Sequence, residues 1–253
     1  MTGNAPTTET PPPQWELAAP ILEFHQVSFK GTGETSIRMN KFSATIRTGE
    51  LVEVELERQH NPRDLVSMML GLNPPDAGEV LYSQQDWLGI DYARHFQMRS
   101  EIGRVFAGSA WIQSLTLRDN IHLAMRHHGV TETDAEEKVE HWIQRLSGHQ
   151  LAKVKWALKK RPSVVEPSVL ALCQLIRAMA NHPRLLILER PLRFMLESLY
   201  DNFVSAVDDL RASGTAVLFF AGGRDEYRLE FRSPVISWRI INGTMNTNGR
   251  RRP

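Results

Sequence analysis

The chain has 253 residues, 42% of them hydrophobic, enough to bury one large α/β core or a core with a helical appendage. With 30 basic and 29 acidic residues its formal net charge is +1, so no overall field draws it to nucleic acid or to anionic lipid. A single cysteine, Cys173, excludes an internal disulfide, and there is neither a run of about 18 apolar residues nor a signal-peptide pattern. A cytoplasmic protein is therefore expected, reaching a membrane only through a partner.

Residues 1–19, rich in Pro and Thr, predict a disordered lead, and 247–253 a solvated basic tail. Between them, 20–246 reads as one domain with a helical subdomain at about 112–182. Period-2 alternation in the Ile21–Phe29 segment and in Ile37, Met39, Phe42, Ala44 and Ile46 predicts two antiparallel strands.

The stretch from Gly49 to Val80 then reads as strand, tight loop, helix and turn, the order of a phosphate-binding β-loop-α unit. A loop that wraps phosphate needs glycines to turn successive N–H groups inward, a lysine for charge and a hydroxyl for Mg²⁺. Here Leu56, Gln59, Asn61, Pro62, Arg63 and Asp64 occupy the loop. Asn61 is expected as N-cap, Pro62 as the first helical residue, and Asp64 as a carboxylate against the helix start, so that protein atoms fill the anion site.

Further along, a short helix is predicted around Asp91–Arg99, followed by an apolar loop carrying Trp111, Ile112, Leu115 and Leu117. This loop either docks a partner or packs inward. Thr133 and Glu136 predict a capping box, and Val139, Trp142, Ile143 and Leu146 one buried helix face. Cys173 sits at helical spacing among Leu170, Leu172, Leu175 and Ile176, as a small core residue would. A hydrophobic strand ends at Glu189-Arg190, where Glu189 is expected to pair with a neighbouring arginine, and Asn242-Gly243 predicts a two-residue hairpin turn.

Several of these stretches together resemble the nucleotide-binding domain of ATP-binding cassette (ABC) transporters: GELVEVEL, LVSMMLGLNPPDAGEV, EIGRVFAG and the run from Arg177-Ala178 through Leu185–Leu188 to Pro191. The resemblance implies an α/β fold: an ABC-type P-loop NTPase-like core sheet, an N-terminal antiparallel β-subdomain and a helical insertion. It also implies what the substituted positions once did. The phosphate-loop glycines fall on Leu56, Gln59 and Asn61, the lysine on Pro62, the magnesium hydroxyl on Arg63 and the next Thr on Asp64. The adenine-stacking aromatic falls on Gly31, the glutamine that touches Mg²⁺ and water on Ala107, and the signature on Val165, Glu166, Pro167, Ser168 and Val169. The Mg²⁺-ordering aspartate falls on Glu189, the catalytic glutamate on Arg190 and the switch histidine on Gly222. Phe106-x-Gly-Ser-Ala with Asp119-Asn120 resembles most closely the ATPase subunit of MCE-type (Mla-like) phospholipid transporters.

With these positions substituted, the sequence leads to a catalytically inactive subunit with no catalytic residue, cofactor or metal, serving a membrane transport complex, possibly for lipid. The alternative is a divergent ATPase that binds or hydrolyses ATP with Mg²⁺, alone or with an intact partner. The implied partners are a permease-like membrane subunit, docked through Trp111, Ile112 and Leu115, and a second cassette in a homodimer or heterodimer, but no nucleic acid. The implied location is the cytoplasmic face of the inner membrane.

Overall fold

The computed structural model describes residues 18–33, 35–222 and 229–247, and the backbone of 251–252. The lead expected at 1–19 lies outside these residues except for 18 and 19, and most of the tail lies outside as well. Strands β1 (Pro20–Lys30) and β2 (Arg38–Arg47) pair antiparallel, with a bulge where Gln26 takes a positive φ of 50°. Then come β3 (Leu51–Glu55), α1 (Arg63–Met69), β4 (Ala77–Tyr82), β5 (Gln85–Asp86), α2 (Tyr92–Ser100) and β6 (Ile102–Val105). Helices α3 (Leu117–His127), α4 (Glu132–Ser147), α5 (Leu151–Ala157) and α6 (Pro167–Met179) follow without an intervening strand, forming the helical part. The chain closes with β7 (Leu185–Glu189), α7 (Tyr200–Ala212), β8 (Ala216–Ala221), β9 (Val235–Ile241), β10 (Thr244–Asn246) and β11 (Arg251–Arg252).

These strands form one sheet in the order β5-β4-β1-β2-β10-β9-β3-β8-β7-β6, with β11 added on β9. Strands β9, β3, β8, β7 and β6 run parallel, as short apolar strands joined by helical crossovers should. Their alternation splits the core in two. Leu186, Leu188, Val217 and Phe219 face the helices, while Leu185, Ile187, Leu218 and Phe220 face the β-subdomain, where Phe24, Phe42 and Trp238 pack edge to face. The fold is thus the expected one: an α/β core sheet, an N-terminal antiparallel subdomain and a helical insertion.

Local details differ from expectation. Thr131, not Thr133, caps α4, its hydroxyl accepting from Asp134 N–H at 3.2 Å. Helix α1 begins at Arg63 with Pro62 at the cap, one residue later than predicted. The hairpin turn is as predicted, Asn242 and Gly243 having φ of 51° and 73°.

The register fixes the site. Val105 pairs with Leu188, Glu189 with Phe220, and Glu55 with Ala221, so the carboxyl ends of β6, β7, β8 and β3 lie side by side. The loops that leave them meet at one edge, where open α/β sheets bind ligands.

Candidate functional site

In the loop from Leu56 to Pro62, four N–H groups are taken up by protein acceptors. Leu56 N–H donates to Ala221 O (2.9 Å), Glu57 N–H to His60 Nδ1 (3.2 Å), His60 N–H to Glu57 O (3.1 Å) and Asn61 N–H to Thr35 O (2.9 Å). Asn61 Oδ1 then accepts from Arg63 N–H at 3.1 Å, as a capping residue does, although its position is one before the cap. Asp64 lies in the first turn of α1, as expected, but its carboxylate bonds the β1–β2 loop rather than the helix N–H groups. Its Oδ2 accepts from Thr32 N–H (2.8 Å) and Thr32 Oγ1 (2.7 Å), and these bonds hold its carboxyl below the ordinary value of 3.8.

The loop presents carbonyls inward, and Arg190 meets them. Its Nη2 donates to Glu57 O (2.8 Å) and His60 O (3.1 Å), and its Nη1 to Gly222 O (3.1 Å). Arg190 takes a positive φ of 48°, a conformation that costs free energy and needs such bonds to hold it. A Cβ at Gly222 would overlap Arg190 Nη1, so the guanidinium keeps its present place only because residue 222 is glycine. Next to it, Glu189 is buried and accepts from Arg104 Nε at 2.6 Å, their side chains being 3% and 11% exposed. Arg104 is out of sequence range of Glu189, and only the β6–β7 register brings them together.

A cleft of about 780 Å³ opens above these residues, lined by Arg58, Arg63, Arg104, Arg190 and Arg193 with Glu189 and Ala107. Composition gave no sign of this concentration of arginines, because the net charge of the chain is near zero. The structure gathers Pro62, Arg63, Gln59, Asn61, Ala107, Glu189 and Arg190 around the cleft, with Gly222 behind Arg190, and leaves Leu56 in the core, 4% exposed. Asp64 faces the β1–β2 loop. Ser168, half-buried, stands near the start of α6 behind Pro167, which takes the first helical position; Glu166 precedes it without capping and pairs with Lys153 at 3.2 Å.

A second cavity, about 330 Å³, adjoins the cleft and shares Phe106, Ala107, Gly108, Ser109, Arg190 and Arg193 with it. Its walls are apolar, from Trp111, Pro167, Leu170 and Phe194. The Arg177 guanidinium lies 4.4 Å from the Trp111 ring centre and 5.8 Å from that of Phe106, and Arg104 covers Phe106 at 4.4 Å, which fixes these rings. Burial pulls the Arg177 guanidinium down to about 10. Trp111, expected among the docking residues, is therefore a wall residue, 8% exposed. Ile112, 45% exposed, and half-buried Leu115 remain at the surface.

The cleft lining brings guanidinium groups together but does not offer a magnesium site of the family's kind. Arginines supply charge that the loop N–H groups no longer can, whereas Arg63 replaces the metal hydroxyl and Glu189 is already bound to Arg104. Elsewhere, His122, Glu132 and Glu136 of α3 and α4 gather three potential metal-ligand atoms within 4.8 Å of one another, a cluster that sequence spacing did not reveal. Arg118 and Arg126 already pair with those carboxylates and supply the charge that a cation would bring.

No helix among the described residues is long and apolar enough to cross a membrane. The profile of a family described as ABC transporter matches residues 64–193. A spermidine/putrescine import ATP-binding protein of Pseudomonas aeruginosa is 26% identical over 70% of this chain and 45% of its own length. A sulfate/thiosulfate import ATP-binding protein of Bordetella bronchiseptica is 26% identical over 60% of this chain and 41% of its own. The chain thus spans less than half the length of these curated relatives. Among solved structures, a dimeric post-hydrolysis ATP-binding cassette bound to ADP and Pi superposes with a TM-score of 0.73 at 16% identity, covering 92% of this chain and 98% of that one. An ATP-binding subunit of an ABC transporter gives a TM-score of 0.72 at 15% identity, covering 90% of each chain. The expectation of no cofactor does not stand against relatives named as ATP-binding proteins. It followed from the loss of the loop lysine and glycines, and overlooked the arginines that the fold brings together from the phosphate loop, α1, β6 and the turn after β7. With the profile covering just over half of the chain and the sheet and helices in the cassette arrangement, the protein belongs to the ABC transporter family.

Proposed function

We propose that the chain is a divergent ATP-binding subunit of an import system, which holds nucleotide phosphates with arginine side chains rather than with a glycine-lysine loop. The observation that carries this reading is the cleft at the carboxyl ends of the parallel strands, with Arg58, Arg63, Arg104, Arg190 and Arg193 around it. Guanidinium groups bind phosphate oxygens in a planar, often bidentate geometry, so they can replace lysine and N–H groups together. With the N–H groups of Leu56, Glu57, His60 and Asn61 engaged elsewhere, phosphates would meet the arginine side chains first. Arg190 would hold its place against Glu57 O and His60 O, while the more exposed Arg58, Arg63 and Arg193 turn to the ligand.

With an arginine where a general base would stand, hydrolysis is assigned to an intact second cassette in a heterodimer, and this chain to binding and regulation. The named relatives are import proteins for sulfate/thiosulfate and for spermidine/putrescine, which favours import of a small solute over the phospholipid reading. A permease-like membrane subunit on the cytoplasmic face would be its other partner, contacted through Ile112 and Leu115. Titration of the purified chain with ATP tests the reading. Saturable binding that is lost in Arg63→Glu is expected, and heat-silent titration at millimolar ATP together with no thermal shift would overturn it.

A further inference from the structure

Helices α3 and α4 bring together a histidine and two glutamates that the cleft does not use. On α3, His122 stands one turn from Arg118 and one from Arg126, so the three share a face. Glu132 and Glu136 lie one turn apart at the start of α4. The His122 side chain is fully buried, yet neither ring nitrogen has a hydrogen-bond partner among the described residues. A buried neutral imidazole normally satisfies one donor and one acceptor, and this ring satisfies neither. Burial holds it below its ordinary value of 6.5, which keeps the neutral form that ligates metal ions.

Both nitrogens are aimed at carboxylates: Nδ1 lies 3.4 Å from Glu132 Oε1, and Nε2 lies 3.7 Å from Glu136 Oε2. One ring nitrogen and one oxygen from each glutamate fall within 4.8 Å of one another. Two ligands of a tetrahedral zinc ion stand about 3.4 Å apart, so a small turn of the two half-exposed glutamates closes the set. Arg118 and Arg126 hold those carboxylates from the solvent side, Arg126 Nε donating to Glu132 Oε2 at 2.9 Å. Both arginines are half-exposed, and ion pairs of that kind contribute little. Neither arginine satisfies the His122 ring, whereas a metal ion would serve the ring and both carboxylates at once.

We propose that His122, Glu132 and Glu136 bind a divalent transition cation of the zinc class, which displaces Arg118 and Arg126 from the carboxylates and ties α3 to α4. Three protein ligands leave a coordination position for water, and the imidazole selects zinc over Mg²⁺ and Ca²⁺, which take oxygen ligands. None of the three residues lines the arginine cleft, so the site does not depend on nucleotide binding.

The test titrates the full chain with chelator-buffered zinc, in wild type, Glu136→Gln, Arg118→Ala and the double variant His127→Gln/His128→Gln. Glu136 is half-exposed and glutamine keeps its shape, so the fold is not at risk. Wild type should bind one zinc ion, excess Mg²⁺ should not compete, and Co²⁺ in place of zinc should give the visible bands of a four-coordinate site. Affinity should fall by roughly tenfold or more in Glu136→Gln and stay unchanged in the histidine double variant. Arg118→Ala, which removes the competing cation, should bind zinc severalfold more tightly; an arginine with a merely structural role would not produce that gain. No zinc on wild type, equal affinity in Glu136→Gln, or weaker binding in Arg118→Ala would each overturn the proposal. Zinc lost in the double variant would overturn it too, by placing the metal on the adjacent histidines at the end of α3.

Discussion

The buried pair Arg104–Glu189 offers a sharp test of how the site is built. Replacing Arg104 with Met keeps most of the side-chain volume on β6 but strands the Glu189 carboxylate, 3% exposed, in the core of the parallel sheet. Breaking one partner of such a pair costs about 3–5 kcal/mol, because the remaining buried charge loses the cation paired with it. At roughly 2–4 °C per kcal/mol for a domain of this size, the melting temperature should fall by about 6–20 °C. Replacing both residues, Arg104→Met with Glu189→Leu, should recover most of that loss, since well-packed apolar groups of similar volume substitute for buried pairs at little cost. Urea unfolding of wild type, the single and the double variant measures the difference. A single variant within about 1 kcal/mol of wild type, or a double variant less stable than the single, would refute the reasoning.

Gly222→Ala should expel Arg190 from the carbonyls of Glu57, His60 and Gly222 and cost about 2 kcal/mol or more, while the same change in an Arg190→Ala background should cost under about 1 kcal/mol, a coupling read by a double-mutant cycle. Asp64→Ala should destabilise the chain at pH 7 by about 1 kcal/mol. Because the folded carboxyl is held below its ordinary value, wild type's advantage is present above pH 3.8 and fades as pH falls through the lower folded value; pH-dependent unfolding of the two proteins should converge there. Trp111→Glu should unfold the 111–117 region, whereas Ile112→Glu should leave the melting temperature within about 1 °C and weaken copurification with the membrane subunit. Equal behaviour of the two variants would contradict the assignment of Trp111 to the cavity wall.

Much of the fold was legible because its signals are local or periodic. Alternation in Ile37 and Met39 and in the Phe42-Ala44-Ile46 run marked a half-buried strand, the run Leu185–Leu188 marked a central parallel one, and Asn242-Gly243 marked its turn. Caps were read two residues off at Thr131 and one residue off at Pro62, where Thr131 and Thr133 and an Asn-Pro pair offer competing starts of nearly equal free energy. The site was harder. The sequence led to a neighbouring arginine as the partner of Glu189, whereas strand register supplies Arg104, 85 residues away. Likewise Trp111 and Ile112 are adjacent apolar residues with opposite fates, decided by Arg177 on a distant helix. The arginines around the cleft come from the phosphate loop, α1, β6 and the turn after β7, so no window of sequence shows them together, and their charge is hidden in a near-neutral total.

The account rests on arginines standing in for the phosphate loop, and ligand-induced stabilisation tests that most directly. ATP present at 100 times its dissociation constant stabilises a native state by about 2.7 kcal/mol, which corresponds to a rise in melting temperature of about 5–11 °C for a domain of this size. The account predicts that rise for wild type, with or without Mg²⁺, and its loss in Arg63→Glu/Arg193→Glu. A rise that requires Mg²⁺ and survives both charge reversals would contradict it.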